Sequence, residues 1–589
     1  MGEALRRRGP DAGHWVGWNA GFQARETRRP VSALIHRRLS IRDPQPRSHQ
    51  PMCDEEETVW ICYNGEVYDW ESWVPELEAK GHQFRTRSDT EFILHAWKAW
   101  GADMLPRLRG MFAIAVLDLR RRELVLIRDR MGIKPLVYTH EPGRLVFGST
   151  LRSLLPAFPR EKRRFSAAAL DAYLAHRYIP APHTVLEGVR RLPRAHMARF
   201  NLETGDLCVR PWWTPEADPQ ADFRQTLDQA IELRTVADRP VGLFLSGGVD
   251  SATVADRLGA TGHGELTAFT AAFPGTGFDE APLASEIAAK LGMPPQALPI
   301  TLDIEADLEQ LVADLDEPFA DPSALPLWVL SRETRRHVAV VLGGDGGDEL
   351  FAGYKRYRRH LRSAWRGDCR LPPYQYRGQA LPGTWAKLRD ELSMPWRDAY
   401  GLRFSGMPPS LRAWLQPDQS IEGSYLTHPV DGGKQDLQTL LALDMDHYLP
   451  EYILRKADLC TMAHGLELRV PLLDHRLYEC VLSMGAEQRF TQPAKQALAA
   501  QCGVCGALDL LNRPKRGFNP PVDAWLRGPL AARLEGLGEM LTATTHGQIN
   551  ARRAQVLLDA WRHGQGPKAE HVLQLLLLAL SLAQLKALP

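Results

Sequence analysis

The run Ser246-Gly-Gly-Val-Asp-Ser251 combines residue types that suit the binding of a phosphate. The preceding residues 241–245 are apolar without a polar break and predict a strand buried on both faces. Glycines let backbone N–H groups approach an anion, and the helix predicted over 252–258 adds its N-terminal dipole. No Gly-Lys-Ser/Thr follows, which excludes the Walker pattern. The run therefore predicts an anion site, against the alternative of an ordinary strand-to-helix turn.

A second glycine-rich loop, Gly343-Gly-Asp-Gly-Gly-Asp-Glu349, follows the apolar residues 340–342. Its glycines permit close backbone approach, and its carboxylates offer the hard oxygen ligands that Mg²⁺ prefers. The alternative is a merely flexible acidic loop. We expect a site for magnesium and phosphate here, on which the polar segments 316–323 and 454–475 converge.

From residue 220 onward, helices alternate with apolar strands at 241–245, 266–273 and 338–342. This alternation predicts an α/β fold built on a doubly wound parallel sheet. Ligands of such sheets bind outside the carboxyl ends of the strands, where both glycine-rich loops lie. The apolar stretch 572–585 is interrupted by polar residues and is short for a membrane span, so it predicts a buried helix in a helical C-terminal part.

The first 200 residues contain short alternating strands and one helix, which predict an α+β layered sandwich. The strands are expected at 59–63, 111–117 and 123–127, and the helix at 91–101. Proline-punctuated stretches at 180–193 and 211–219 mark the passage to the second unit. We expect two domains, 1–205 and 206–589.

Five short motifs occur in order in the first domain. They are Arg8-Gly-Pro-Asp11, Arg37-Arg-Leu-Ser-Ile41, Tyr63-Asn-Gly-Glu66, Ser88-Asp89 and Arg128-Asp-Arg-Met-Gly-Ile-Lys-Pro135. Each is weak alone, since Asn-Gly is first of all a hairpin turn. In this order and spacing they resemble the class II glutamine amidotransferase domain, which is an N-terminal-nucleophile glutaminase.

The resemblance assigns roles to residues that suit glutamine chemically. It implies that Arg38 binds the α-carboxylate, and that Glu66 and Asp89 bind the α-ammonium group. It also implies that the Asn64 side chain and the Gly65 backbone N–H form the oxyanion hole. The alternative is that Arg38 and Asp89 form only a surface ion pair.

The nucleophile of that family is a cysteine directly after the initiator methionine, but Gly2 follows Met1 here. Cys53 and Cys62 cannot replace it, because the nucleophile uses its own free α-amino group as the base. Two interpretations remain. Either the start codon is assigned too late and the longer protein is active, or the chain has no glutaminase and uses free ammonia. The surviving glutamine-binding residues favour the first.

The loop 246–251 resembles the pyrophosphate loop of the ATP pyrophosphatases. Together with the loop 343–349 and the segments 316–323 and 454–475, it resembles the synthetase domain of the glutamine-dependent asparagine synthetases over about 220–530. This resemblance implies that the side-chain carboxylate of aspartate attacks the α-phosphate of ATP and that pyrophosphate leaves. Ammonia then displaces AMP and gives asparagine. ATP and Mg²⁺ are the implied cofactors.

The same resemblance assigns the residues of this reaction. Asp250 and Asp348 match magnesium ligands, and Lys515 matches the lysine that stabilises charge at the α-phosphate. Asp345 matches an acidic residue needed to form the adenylate. The ATP and pyrophosphate contacts are implied for Leu245, Ser246, Gly247, Gly248, Asp250, Ser251, Gly343 and Gly344.

Other functions remain open. The biosynthetic enzymes often carry glutamate where Asp345 stands, and a displacement of about 1 Å matters in an active site. The same chemistry could therefore act on a saccharide, a peptide or a β-lactam precursor. A non-catalytic nucleotide-binding paralogue is a further alternative, which the presence of Asp250, Asp348 and Lys515 disfavours.

The bulk properties are those of an ordinary globular protein, with 44% hydrophobic and 24% charged residues. The net charge of +1 and the scattered arginines give no sign of a nucleic-acid partner. The polar, arginine-rich beginning lacks the apolar core of a secretory signal. We expect a cytoplasmic protein whose partners are small molecules, without a membrane, and the family implies a homodimer.

Overall fold

The computed structural model describes residues 1–19, 31–273, 279–366, 371–372, 381–404, 406–418, 436–513 and 520–588. Lys515, the residue expected at the α-phosphate, lies outside the described residues.

The strands of the first 211 residues form antiparallel sheets: a pair β1-β2, a six-stranded sheet β11-β10-β6-β5-β4-β3 and a sheet β8-β7-β9. The strands are β1 Ala12–Trp18, β2 Ser32–Arg38, β3 Met52–Cys53, β4 Val59–Tyr68, β5 Arg109–Asp118, β6 Glu123–Arg128, β7 Val137–Glu141, β8 Arg144–Gly148, β9 Val189–Arg191, β10 His196–Asn201 and β11 Leu207–Pro211. The helices are α1 Val74–Ala79, α2 Asp89–Trp100, α3 Leu151–Leu154 and α4 Ala167–His176.

The central strand β5 is buried on both faces, and its side chains alternate between two cores. Phe112 and Ile114 pack with α2 on one face of the six-stranded sheet. Ala113 and Ala115 pack on the other face with residues of β1, β2 and β7. The order of helix, sheet and second sheet confirms the predicted α+β layers, and the three predicted strands are β4, β5 and β6.

The second half contains a five-stranded parallel sheet of order β14-β13-β12-β15-β16. The strands are β12 Val241–Phe244, β13 Thr267–Ala272, β14 Pro295–Pro299, β15 Val340–Leu342 and β16 Glu467–Arg469. This order confirms the predicted doubly wound sheet. The strand order reverses between β12 and β15, which is where ligands bind in such folds.

Helices cover this sheet and extend to the C-terminus. They are α5 Phe223–Glu232, α6 Val249–Ala260, α7 Ala281–Leu291, α8 Ile304–Asp314, α9 Ala324–Thr334, α10 Gly347–Leu350, α11 Lys355–Leu361, α12 Thr384–Leu392, α13 Trp396–Ala399, α14 Pro409–Leu415, α15 Leu437–Leu443, α16 Arg455–Met462, α17 His475–Ser483, α18 Ala486–Arg489, α19 Gln496–Ala499, α20 Gly503–Ala507, α21 Val522–Arg527, α22 Leu537–Thr544, α23 Ala551–Arg562 and α24 Ala569–Ala587. A π-helical segment, Asp444–Leu454, joins α15 to α16.

Helix α24 is the one helix within the described residues that is long and apolar enough to cross a membrane. Its Leu575, Leu576 and Leu578 are fully buried and pack in a core with α8, α9 and α21 to α23. Its burial is that of a core helix, as the sequence predicts for 572–585.

Candidate active sites

The first predicted loop connects β12 to α6 and is held in shape by its two serines. Ser251 Oγ lies 2.9 Å from Ser246 Oγ and accepts a hydrogen bond from the Ser246 backbone N–H at 3.1 Å. Ser246 Oγ accepts from the Gly248 N–H at 3.2 Å. Because Gly248 is the N-cap, no N-cap side chain covers the first N–H groups of α6. The loop therefore presents a helix N-terminus suited to a phosphate.

The second predicted loop packs directly against the first, and glycine is required at the contact. A Cβ on Gly344 would lie 2.7 Å from the Ser251 backbone nitrogen. A Cβ on Gly347 would lie 2.2 Å from Asp250 Oδ1. The structure thus brings the two predicted loops together at the point where the strand order reverses.

Lys495 links the two aspartates that the sequence predicts as magnesium ligands. Its Nζ lies 2.6 Å from Asp250 Oδ2 and 2.6 Å from Asp348 Oδ1. Burial lowers the pKa of Lys495, but the two carboxylates outweigh it and raise the pKa above its usual value. Lys495 adopts a left-handed backbone conformation with φ of +69°, which is uncommon for a residue with a side chain.

Sequence reasoning missed Lys495. It belongs to none of the motifs, and 245 residues separate it from Asp250. Two carboxylates that share one ammonium group between them are also suited to a divalent cation with phosphate oxygens as its further ligands. Asp250 and Asp348 thus fit the predicted magnesium site.

The remaining predicted segments reach the same region through Lys456. Its Nζ lies 2.8 Å from Asp321 Oδ2 and 3.0 Å from Ser323 Oγ. Burial lowers the pKa of Lys456, but the negative charges of Asp321 and, with a smaller effect, of Asp345 raise the pKa above its usual value. The segments 316–323 and 454–475 therefore meet the loop of Asp345, as the sequence predicts.

Glu349, the last acid of the second loop, lies in a different environment from its neighbour. Burial and the charge of Asp348 raise the pKa of Glu349 to about 8. Tyr354 Oη donates a hydrogen bond to Glu349 Oε1 at 2.8 Å. At neutral pH, Glu349 is therefore mostly protonated and adds little negative charge to the loop.

A separate cavity of about 680 Å³ lies between the two layers of β-strands in the first half. All five residues implied for glutamine line it: Arg38, Asn64, Gly65, Glu66 and Asp89. Gly65 has φ of +149°, and a Cβ there would lie 2.0 Å from the Met111 carbonyl oxygen. The strand pairing of β4 and β5 thus admits only glycine at this position.

Two of these residues carry buried polar atoms without a hydrogen-bond partner in the described part of the chain. These atoms are Asn64 Nδ2 and Glu66 Oε1. Burial raises the pKa of Glu66 well above its usual value, against the charge of Arg469. A buried polar atom without a partner is costly, and a bound polar ligand would remove this cost.

Arg38 and Asp89 are already engaged by the protein. Arg38 donates to the carbonyl oxygens of Arg42 and Asp43 at 2.8 Å each and to Gln45 at 3.2 Å. Asp89 Oδ2 accepts from Tyr63 Oη at 2.7 Å and from the Val67 N–H at 2.9 Å. Both side chains are buried, so the alternative of a surface ion pair is wrong.

The comparisons with known proteins agree with this geometry. The asparagine synthase family model matches residues 222–587, and the glutamine amidotransferase domain model matches residues 1–213. The chain belongs to the asparagine synthase family. Asparagine synthetase [glutamine-hydrolyzing] 1 of Bacillus subtilis is 30% identical over 562 residues, which are 90% of this chain and 84% of that protein.

A putative asparagine synthetase [glutamine-hydrolyzing] of Mycobacterium tuberculosis is 33% identical over 570 residues, covering 89% of this chain and 84% of its own length. Among solved structures, the Bacillus subtilis glutamine phosphoribosylpyrophosphate amidotransferase complexed with ADP and GMP overlaps with a TM-score of 0.27 at 13% identity. This overlap covers 61% of this chain and 73% of that chain. As a member of the asparagine synthase family, the chain is an ATP-dependent carbon–nitrogen ligase with a glutamine amidotransferase domain.

Two cysteines in the first half of this asparagine synthase family member, Cys62 and Cys53, are not activated. Burial raises the pKa of Cys62 to about 12. Burial, with the nearby Glu57 and Asp54, raises the pKa of Cys53 to about 11. Thiolates, not thiols, are nucleophiles, so neither side chain is suited to attack an amide.

Proposed function

We propose that this ligase activates the side-chain carboxylate of aspartate with ATP and amidates it to asparagine. The observation that carries the proposal is the contact of two loops at the reversal of strand order, with Asp250, Asp348 and Lys495 between them. The names of the relatives supply the product, asparagine, and the donor, glutamine.

The reaction needs two displacements. A carboxylate oxygen of aspartate attacks the α-phosphorus of ATP, and the bond to pyrophosphate breaks. Ammonia then attacks the acyl carbon, AMP leaves with the electron pair of the broken C–O bond, and ammonia loses a proton. The first displacement builds negative charge on pyrophosphate, which the N–H groups of Gly247 and of the start of α6 would bind.

Asp250 and Asp348 would hold Mg²⁺, which when bound neutralises charge on the phosphates. The same proposal assigns ATP contacts to Leu245, Ser246, Ser251, Gly343 and Gly344. Asp345 would act in forming the adenylate, and Lys515 would act at the α-phosphate.

For the donor site, we propose that glutamine binds in the 680 Å³ cavity. Its ammonium group would bind Glu66 Oε1, and the oxyanion formed from its amide would accept a hydrogen bond from Asn64 Nδ2. Both of these protein atoms are buried. Arg38 and Asp89 would complete the site at the α-carboxylate and the ammonium group. Gly65 would contribute its backbone N–H to the oxyanion.

We further propose that the chain divides in two between β11, which ends at Pro211, and α5, which begins at Phe223. This division lies a few residues beyond the boundary at 205 expected from the sequence. A cytoplasmic location and a homodimer remain predictions.

The test is ATP cleavage by this chain with aspartate and Mg²⁺, supplied with either glutamine or ammonium. AMP, pyrophosphate and asparagine are followed together. Asparagine formed at a rate matching AMP supports the proposal, and the donor that works identifies the nitrogen source. AMP formation that is the same with and without aspartate, with no asparagine from either donor, would show that aspartate is the wrong carboxylate, and the other acceptor classes would then be tested.

A further inference from the structure

Arg469 contacts both proposed sites. Its guanidinium contacts Glu66, which lines the proposed glutamine cavity: Nη2 is 3.0 Å from Glu66 Oε2. Its backbone carbonyl accepts the N–H of Gly343, the first residue of the second ATP loop, at 2.8 Å. One fully buried residue therefore joins a glutamine-binding carboxylate to a nucleotide-binding loop.

The arginine is held rigidly between these two contacts. Nη1 donates to the carbonyl oxygens of Val236 at 2.7 Å and Arg234 at 3.0 Å, and Nε lies 2.9 Å from Glu467 Oε1. Its strand β16 pairs in parallel with β15, with Arg469 opposite Leu342. A shift of the guanidinium is thus transmitted to the strand that ends at the ATP loop.

The cavity itself extends to this strand. Met462 and Glu467 line it together with Asn64 and Glu66 from β4. The lining of the cavity therefore comes from both halves of the chain and includes Glu467, the first residue of β16.

We propose that Arg469 is a positioning residue that couples occupancy of the glutamine site to the shape of the ATP loop. The inference rests on the proposed function, since it takes glutamine and ATP as the two ligands. An ammonium group at Glu66 Oε1 fixes the carboxylate and holds Oε2 on Arg469. Without the ammonium group, Glu66 Oε2 contacts Arg469, and Glu66 Oε1 has a longer contact of 3.6 Å to Arg42.

Coupling of this kind is reciprocal, because each ligand must change the affinity of the other by the same factor. We expect saturating L-glutamine to tighten the binding of magnesium α,β-methylene-ATP by about fivefold or more, in the range usual for coupled sites. The analogue should tighten glutamine binding by the same factor. Both affinities are measured by calorimetry on the full chain.

Arg469→Lys keeps the charge but loses the forked donor geometry. We expect its coupling factor to fall to about one. This factor is a ratio of two affinities of the same variant, so a uniform loss of stability or of ATP affinity does not change it. The matched control is Arg109→Lys, since Arg109 is also buried and pairs across the two halves with Asp474 at 2.8 Å. The control should keep the coupling.

Three results would overturn the inference. The first is that glutamine and the ATP analogue bind the native chain independently of each other. The second is a coupling factor that Arg469→Lys leaves unchanged, and the third is a coupling factor that Arg109→Lys reduces as much as Arg469→Lys does. If Arg469→Lys shows no cooperative melting transition, Glu467→Gln replaces it. This variant removes the negative charge of one partner of Arg469 and should reduce the coupling factor, and an unchanged factor again contradicts the inference. If ATP analogue and glutamine both fail to bind the native chain, the proposed function itself fails, which is a different result from independent binding.

Discussion

Lys495 Nζ lies 2.6 Å from both Asp250 Oδ2 and Asp348 Oδ1, in the place between two carboxylates that a divalent cation would take. The three side chains come from three separated parts of the chain. An ammonium group here offsets the repulsion of two partly buried carboxylates before nucleotide binds. If Asp250 and Asp348 hold Mg²⁺ as proposed, the ammonium group of Lys495 would have to leave this position.

Replacing Lys495 with methionine should therefore make stability depend on magnesium. Removing the cation leaves two partly buried carboxylates facing each other, which costs about 3 kcal/mol or more of unfolding free energy. Added Mg²⁺ should restore much of that loss, since it binds the folded state. Thermal melting of Lys495→Met and native protein, with and without Mg²⁺, measures both effects.

The control for this experiment is Lys134→Met. Lys134 is also buried and pairs with a carboxylate, Asp458, at 3.2 Å, but lies outside the two loops. Its variant should lose stability without recovering it in Mg²⁺. Equal recovery in both variants, or none in Lys495→Met, would remove the assignment of Asp250 and Asp348 to the metal.

Asp348→Asn should slow AMP formation. The amide keeps the shape of the side chain but loses the charge that binds the metal, and removal of one such electrostatic contact costs about 10²–10³-fold in rate. Asp303→Asn is the matched control, because Asp303 caps α8 by accepting from the Ala306 N–H and asparagine caps equally well. A rate within about twofold of the native rate for Asp348→Asn would contradict the magnesium assignment.

Gly344→Ala should weaken ATP binding while the fold persists. The added Cβ would lie 2.7 Å from the Ser251 nitrogen, so the two loops must move apart. We expect a loss of affinity of about tenfold or more, because misplacement by about 1 Å is already costly at such sites. Gly259→Ala is the control. Gly259 lies in α6 with open space around its Cβ position, so alanine should leave binding intact and stabilise the helix by about 0.5–1 kcal/mol.

The elements that the sequence predicts correctly are those whose strand and turn signals lie close together along the chain. The apolar run before Ser246 and the glycines after Leu342 predicted β12, β15 and both loops, because strand and turn signals lie within a few residues. The predicted layers around β5 also follow from alternation along one strand.

The roles of Lys495 and Arg469 could not be predicted in this way. Lys495 meets Asp250 across 245 residues, and Arg469 meets Glu66 across 403. Such contacts depend on how two separately folded layers pack, which no local pattern encodes. The oxyanion role of Asn64 and Gly65 is implied only by the resemblance and stays a prediction, although both residues line the cavity.

His176 should make the protein less stable in mild acid. Burial, with the charges of Arg412 and His447, lowers the pKa of His176 from 6.5 to about 3. In the unfolded chain the imidazole takes up a proton near pH 6.5, whereas in the folded chain it stays neutral. Its contribution to stability is therefore fully present above pH 6.5 and is lost as the pH falls towards 3.

Between pH 7 and pH 5, this single group should lower the unfolding free energy by about 2 kcal/mol. His176→Gln removes the titration, so the variant should lose correspondingly less stability over the same interval. His563→Gln is the control, because His563 is exposed on the last turn beyond α23 and should leave the pH dependence as it is in the native chain. Denaturant unfolding of the native chain and the two variants at pH 7 and pH 5 gives the three differences in unfolding free energy that are needed. A pH dependence that is the same for the native chain and His176→Gln would show that His176 is protonated in the folded state.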